Sequence, residues 1–363
     1  MIFLLIGFAL AAVTTFLVIR SARTHAHLSG DSDMSGPQKF HARPVPRIGG
    51  LGIVMGLVGA LAALRLTQGG PALVGLLVLA AGAPAFFGGL AEDLTKTQSP
   101  RRRLLLTALS ATLAIGLVGA VLARTDIPGL DWLVGFTIPA MLLTILCVTG
   151  ISNAINIIDG FNGLAAMCVA MMLGAIAYVA FQAGDPTIGY CALAGVGSVL
   201  GFFIWNYPSG MVFLGDGGAY FLGFYVAELS VLLVHRNAAV SPLSPLLMCI
   251  YPVFETLFSI YRKKILRGMS PGVPDGVHLH MLIYKRVMRW GLGVRTAKAI
   301  TRRNSMTSPY LWFICMLAVV PSMLFWDRPG WLAVFIVLFG ASYVLLYWRI
   351  VRFRLPGWLI VRR

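Results

Sequence analysis

The chain has 363 residues, of which 58% are hydrophobic and only 12% are charged. Apolar stretches of about twenty residues recur along its whole length, which is typical of membrane proteins and excludes a water-soluble core as the main architecture. The formal net charge of +16 indicates a membrane surface rather than a nucleic acid as partner, because the basic residues lie between apolar segments. The five cysteines lie within apolar segments without metal-ligand spacing, so they predict neither disulfides nor a metal site.

Apolar windows bounded by charged or turn-rich breaks predict about eleven transmembrane helices. No Lys or Arg precedes the first apolar segment, so we expect a retained span rather than a secretory signal. The fold class is therefore an all-α integral membrane helix bundle, in which residues 1–363 form one transmembrane domain. The spans are expected near residues 2–19, 49–67, 72–91, 104–123, 132–151, 164–182, 188–206, 217–235, 243–261, 307–326 and 330–348.

The distribution of basic residues predicts the orientation of the bundle. With the amino terminus outside, the outer side holds Arg65, Arg124, Arg236 and Arg328, which leaves 25 of the 29 basic residues inside. This asymmetry predicts a cytoplasmic carboxy terminus. It also assigns to the cytoplasm the loops near residues 20–48, 92–103, 152–163, 207–217 and 262–306.

The first dense polar string closes the third predicted span with Glu92 and Asp93. Two adjacent carboxylates at a membrane surface repel each other and therefore favour a bound cation or a shared proton, which suits a phosphate-handling site. Taken alone, the pair fits a helix end with solvated charges better.

The second string runs from Asn153 to Gly163 and includes Asn156, Asp159 and Asn162. Steps of three residues along a helix turn about 300°, so its polar side chains trace a slowly drifting stripe. One Asn within a span is often only a hydrogen-bonding contact between helices. Four amide or carboxylate side chains within about ten residues favour a functional site instead.

Two more strings follow. Asp216 stands among glycines at the start of the eighth span, where a carboxylate can hold a divalent cation, or simply cap the helix. His278 and His280 lie in the last long loop, with Arg286 close behind. Imidazoles can donate to phosphate oxygens, whereas an oxygen-rich phosphate site selects Mg²⁺. Loop histidines without a role are also common.

The acids of these strings all map to one membrane face although they are far apart in the sequence. A common site there would hold Mg²⁺, with Mn²⁺ as the alternative, and would attract an anionic nucleotide and a lipid phosphate. The strongest rival is a transporter or lipid flippase, which would place ionisable residues near the bilayer midplane. Only Glu228 and Glu255 lie well inside predicted spans, so an enzyme is favoured.

Together, these strings resemble the motifs of the polyprenyl-phosphate N-acetylhexosamine-1-phosphate transferases. The resemblance spans about residues 36–290 and includes Gly88-Gly89-Leu90-Ala91-Glu92-Asp93, Asn153 to Gly163, Phe213 to Gly218 and His278-Leu279-His280. It implies a glycosyltransferase family 4 type of enzyme in the bacterial inner membrane, with its active site on the cytoplasmic face. Such an enzyme would transfer a sugar-1-phosphate from a UDP-N-acetylhexosamine to undecaprenyl phosphate and release UMP.

The resemblance also implies roles for individual residues. Asp216 is expected to be the main magnesium ligand with Asp93, and His278 to meet the diphosphate. Glu92, Asp93, Asp159 and His278 are the expected catalytic residues. The expected substrate-binding residues are Lys39, Asn153, Asn156, Asn162, His280 and Arg286.

Three residues depart from the family pattern. Glu92 replaces an aspartate, Asn162 stands where many relatives have another acid, and Met281 stands where relatives often have a further histidine. The missing histidine argues against a MurNAc-pentapeptide substrate and for a smaller UDP-N-acetylhexosamine. We therefore expect the initiating step of surface polysaccharide or O-antigen synthesis, and a homodimer stays open.

Overall fold

A computed structural model describes residues 1–22, 45–270, 276–288 and 296–354. These residues form an all-α protein, as the composition predicts. Lys39, which is expected to bind substrate, lies outside the described residues.

The described residues form α-helices that follow one another along the chain. Two π-helical segments, Arg262–Leu266 and Ile283–Val287, lie between the later helices. The α-helices are α1 (Ile2–Arg20), α2 (Gly50–Gln68), α3 (Gly70–Ala81), α4 (Ala83–Thr95), α5 (Pro100–Val118), α6 (Leu130–Val134), α7 (Thr137–Ile158), α8 (Leu164–Gln182), α9 (Pro186–Asn206), α10 (Gly215–Arg236), α11 (Leu243–Met248), α12 (Ile250–Tyr261), α13 (Leu279–Leu282), α14 (Ala297–Leu324) and α15 (Pro329–Val351).

Each of the predicted spans falls on a helix or on a helix pair. Among the described residues, eight helices are long and apolar enough to cross a membrane, and the bent pair α3–α4 would make a ninth span. The remaining two predicted spans correspond to α5, which begins with three arginines, and to α11–α12, which is interrupted at Cys249. The chain is therefore a polytopic membrane protein, while the full count of eleven and the sides of the termini stay predictions.

Four of the predicted loops are shorter in the structure, since helices also cover residues 92–95, 100–103 and 215–217. The other two loops differ most. The 152–163 loop is helical as far as Ile158, because α7 continues through the polar stripe. The 262–306 loop ends early, since α14 begins at Ala297. Both differences arise because polar residues near the end of a span can stay helical when they face a protein site instead of lipid.

Helix α10 is the centre of the bundle. Its whole apolar window is buried, and it packs against α7, α4, α8 and α2. By contrast, α1 and α15 expose large apolar side chains such as Leu5 and Val337, as expected of helices in contact with lipid. The buried α10 therefore presents its amino-terminal turn, with Asp216, at the point where α4 and α7 end.

Candidate active site

A cavity of about 390 Å³ opens at the ends of α4, α7 and α10. It brings together residues from all the polar strings of the sequence that the structure describes. Of the predicted site residues, seven line it: Glu92, Asn156, Asp159, Asn162, Asp216, His278 and His280. The convergence expected from the sequence is therefore present in the fold. Arg47 and Arg103 line the cavity as well, so it contains both signs of charge.

Asp216 accepts hydrogen bonds from three side chains of distant segments. Its Oδ1 accepts from Arg47 Nη2 at 3.3 Å and from Asn156 Nδ2 at 3.2 Å. Its Oδ2 is paired with Arg103 Nη1. The residue before it, Gly215, has φ +77°, and a Cβ there would collide with the carbonyl oxygen of Arg47. Glycine is therefore required for this close approach.

Arg47 was not singled out by the sequence analysis. A short pairing of two loops places it: Phe213 N donates to Pro46 O at 2.9 Å, and Gly49 N donates to Phe213 O at 3.0 Å. Only the Pro and Gly residues around Arg47 hinted at an ordered loop. Such backbone pairing fixes a cation beside Asp216 without a helix to carry it.

Glu92 and Asp93 are adjacent in sequence but have different positions and different hydrogen-bond partners. Asp93 is 1% exposed, and its carboxylate accepts from Asp216 N at 3.0 Å and from Gly217 N at 2.9 Å. It thus binds the free N–H groups at the start of α10. Glu92 lines the cavity and accepts from Gln98 N at 2.7 Å. In this geometry Asp93 holds the segment that carries Asp216, and its catalytic and metal roles stay predictions.

Asp159 follows the last residue of α7 and faces the cavity. Burial raises the pKa of Asp159 to about 7, and Arg47 opposes this rise while the carboxylates of Asp216 and Asp93 add to it. A surface aspartate stays ionised down to about pH 4. Asp159 therefore gains and loses a proton near neutral pH, which is typical of carboxylates at functional sites.

Asn162 joins three segments at the edge of the cavity. Its backbone N–H donates to Asn304 Oδ1 at 2.8 Å, and its Nδ2 donates to Pro208 O at 3.1 Å and to Ser305 Oγ at 3.2 Å. The early start of α14 makes these contacts available. Asn162 is 4% exposed. Its hydrogen bonds therefore connect segments of the protein, and little of its side chain is accessible from the cavity.

The two histidines lie against the second polar string. Their rings are stacked with centroids 5.3 Å apart, and the ring of Phe161 contacts His280 edge-on at 5.7 Å. A Cβ on Gly160 would come within 3.1 Å of His280 Nε2. The close approach of this backbone seats the histidines in the cavity wall.

Two predicted substrate contacts lie outside the cavity. Arg286 donates to the carbonyl oxygens of Ile350 and Val351 at the end of α15. Asn153 accepts from Tyr220 Oη at 3.4 Å. A cation at a helix carboxy terminus makes a favourable structural contact, and substrate binding by Arg286 and Asn153 stays a prediction.

The lining fits a magnesium ion by its chemistry. Mg²⁺ prefers oxygen ligands and is commonly held by one or two carboxylates together with substrate phosphates and water. The described residues hold no group of three or more His, Cys, Asp and Glu side chains that could form a closed protein site. Asp216 offers a carboxylate at the cavity, with Asp159 and Glu92 on its walls. This donor set suits an ion shared with a phosphorylated substrate.

The fold and this cavity define a multi-pass membrane protein with an acid- and arginine-lined site where its helices end. The model of the family "Glycosyl transferase family 4" matches residues 75–234, which contain Glu92, Asp159 and Asp216. The chain belongs to the polyprenyl-phosphate N-acetylhexosamine-1-phosphate transferase family. It is accordingly an enzyme of the glycosyltransferase family 4 type.

Two of the relatives share most of their length with the chain. It is 28% identical to the probable undecaprenyl-phosphate N-acetylglucosaminyl 1-phosphate transferase of Bacillus subtilis (strain 168), over 93% of this chain and 89% of the relative. It is 28% identical to the decaprenyl-phosphate N-acetylglucosaminephosphotransferase of Mycolicibacterium smegmatis, over 88% and 82%. A phospho-N-acetylmuramoyl-pentapeptide-transferase of Lactiplantibacillus plantarum is 40% identical, over only 36% of this chain and 38% of the relative.

Proposed function

We propose that this protein transfers an N-acetylhexosamine-1-phosphate from a UDP-sugar to a polyprenyl phosphate and releases UMP. The observation that carries this proposal is the single cavity in which Asp216, Asp159, two arginines and His278 meet. A transporter or flippase needs no such convergence at helix ends. The family to which the chain belongs supports the transferase over this alternative.

The transfer balances without a redox partner or an added base. An oxygen of the polyprenyl phosphate attacks the β-phosphorus of the UDP-sugar, the bond from that phosphorus to the bridging oxygen breaks, and UMP leaves with that oxygen. Because the attacking phosphate is already anionic, positioning and charge compensation are the main tasks of the site. A bound Mg²⁺ would supply charge compensation to the diphosphate.

The cavity residues divide these tasks by their chemistry. Asp216 would hold the magnesium ion, and Arg47 and Arg103, which pair with Asp216 in the structure, would bind diphosphate oxygens. Guanidinium groups suit phosphate oxygens because their donors form a planar fork. His278 would donate to the diphosphate, while Asn156 and Asp159 would line the nucleotide.

The proposed setting is the cytoplasmic face of a bacterial inner membrane, where the distribution of basic residues would place this cavity. The names of the relatives given above support N-acetylglucosamine as the first sugar to test. The proposed pathway is the start of a surface polysaccharide such as O-antigen. The absence of a third histidine at Met281 supports a substrate smaller than UDP-MurNAc-pentapeptide.

A panel of UDP-sugars tests the proposal. Purified protein with Mg²⁺ and undecaprenyl phosphate should release UMP with UDP-N-acetylglucosamine or another UDP-N-acetylhexosamine, and should form one lipid-linked sugar per UMP. EDTA should stop the reaction, because the diphosphate then lacks its counter-ion. UMP release without polyprenyl phosphate would indicate hydrolysis instead. No UMP from any UDP-sugar would favour the transporter.

Replacing Gly89 with alanine tests how closely Asp216 must be placed. A Cβ on Gly89 would come within 2.5 Å of backbone atoms of Asp216 and Gly217, so α10 must shift away from α4. We expect UMP release to fall by about tenfold or more, since small displacements of reacting groups are costly. The control is Gly150→Ala in α7, where an added Cβ meets nothing within 4 Å. Equal activity of the two variants would contradict the close packing.

A further inference from the structure

A buried carboxylate lies directly behind His278. Glu255, in α12, is 1% exposed. Its Oε1 accepts from His278 Nδ1 at 2.8 Å and from Leu279 N at 3.2 Å. Its Oε2 accepts from Tyr343 Oη at 2.6 Å. Both oxygens of Glu255 therefore have donors, which is the condition under which a carboxylate can be buried.

The last helix holds this arrangement from the opposite side. Tyr343 of α15 packs edge-on against Phe254 at 5.0 Å and Phe258 at 5.6 Å on α12. One turn further, Tyr347 Oη contacts Arg262 Nη1 at 3.0 Å and Val277 O at 3.2 Å. The segment that carries His278 is thus fixed to α12 and α15 together.

These contacts determine which nitrogen of His278 faces the substrate. A carboxylate can only accept, so Nδ1 of His278 must carry the proton that is donated to Glu255. The ring lines the cavity, and with both ring nitrogens protonated its Nε2 would donate to a diphosphate oxygen, since an anionic oxygen can only accept. A carboxylate behind an imidazole fixes its tautomer and orientation and raises its basicity, as in catalytic and metal-bound histidines.

We propose that Glu255, supported by Tyr343, is a positioning residue of the transfer reaction that acts through His278. The inference rests on the proposed function, because it gives His278 the role of donor to the diphosphate. It goes further by assigning one residue of α12 and one residue of α15 to the support of the catalytic site.

A double-mutant cycle tests this proposal. The variants are Glu255→Gln, His278→Ala and the two combined, assayed for UMP release at saturating and at limiting UDP-sugar. Glu255→Gln should lower kcat by about 10- to 100-fold with little change in KM, as for other residues behind a reacting group. In the His278→Ala protein the added Glu255→Gln should change the rate less than about twofold, because its effect passes through His278.

Tyr343→Phe and Tyr225→Phe are the matched variants. Each removes one buried hydroxyl, but Tyr225 Oη donates to Cys191 O at 2.9 Å, away from the cavity. Tyr343→Phe should lower kcat several-fold and should also lose its effect in the His278→Ala protein. Tyr225→Phe should leave UMP release unchanged. If Glu255→Gln fails to fold, judged by its elution and thermal unfolding, the Tyr343→Phe cycle decides instead.

The outcomes separate this inference from the proposed function. Losses that multiply in the combined variant would show that Glu255 only supports the fold, and would overturn the inference alone. Full activity of His278→Ala would overturn the inference and also the role of His278 in the proposed function. Lack of UMP release by the unmodified protein would overturn the proposed function itself. Loss of the Glu255 effect in the His278→Ala protein supports the inference.

Discussion

Replacing Asp216 with asparagine is expected to lower the rate of UMP release by about 10²–10³-fold while the protein stays folded. Asparagine keeps the size of the side chain and can still bond to one arginine, so little packing is lost. It removes the negative charge that two arginines and the proposed magnesium ion share. Stabilisation of charge in the transition state therefore suffers more than the fold.

The measurement is UMP release per folded protein over a range of Mg²⁺ concentrations. We expect Asp216→Asn to need more Mg²⁺ than the unmodified enzyme and to remain slower at saturation. The control is Glu228→Gln, an equivalent change from acid to amide in the same helix. Glu228 is 0% exposed, and its oxygens have no hydrogen-bond partner among the described residues. An active Asp216→Asn enzyme with an unchanged magnesium requirement would refute the metal assignment.

Much of the architecture could be predicted from the sequence because each span satisfies its backbone hydrogen bonds within its own segment. An apolar segment of about twenty residues must be helical in a bilayer, since no water satisfies its backbone. The same reasoning places Asp159 and Asp216 at helix ends. The sequence predicts only that these two acids lie on the same side of the membrane. The structure shows that they line the same cavity.

The remaining features depend on contacts between distant segments. Arg47 lies beside Asp216 because two loops pair through their backbones, and backbone pairing carries no side-chain signal. Adjacent acids are ambiguous as well: Glu92 faces the cavity while Asp93 bonds to the start of α10. Their different directions follow from the roughly 100° turn per residue of a helix, but only the packing of α10 shows which of the two side chains faces the cavity.

Glu255 illustrates a third kind of difficulty. Its position inside a predicted span indicates a polar contact without naming the partner. The partner, His278, is 23 residues away on a segment between a π-helical turn and a short helix. Both residues can be singled out in the sequence. The hydrogen bond between them can be seen only once the packing of α12 against α15 is known.

Replacing Arg103 with glutamine is expected to lower kcat/KM for the UDP-sugar by about 10²-fold, mainly through a higher KM. The Arg103 side chain is 17% exposed and is paired with Asp216, and its guanidinium lies 5.8 Å from the centre of the Tyr220 ring. It is thus a desolvated cation held where the diphosphate would bind. Charge-assisted bonds to phosphate are strong in such surroundings.

Arg102→Gln provides the matched comparison, because Arg102 is the preceding residue of α5 and is exposed. Both variants lose one positive charge, so any general attraction between the protein and an anionic lipid or nucleotide weakens equally. Arg102→Gln should therefore change kcat/KM less than about twofold. Similar losses of kcat/KM in both variants that disappear at higher salt concentration would mean that the two arginines only attract anionic substrates through long-range electrostatics. A loss confined to Arg103→Gln and insensitive to salt places the guanidinium on the diphosphate, since buried pairs are screened far less than exposed ones.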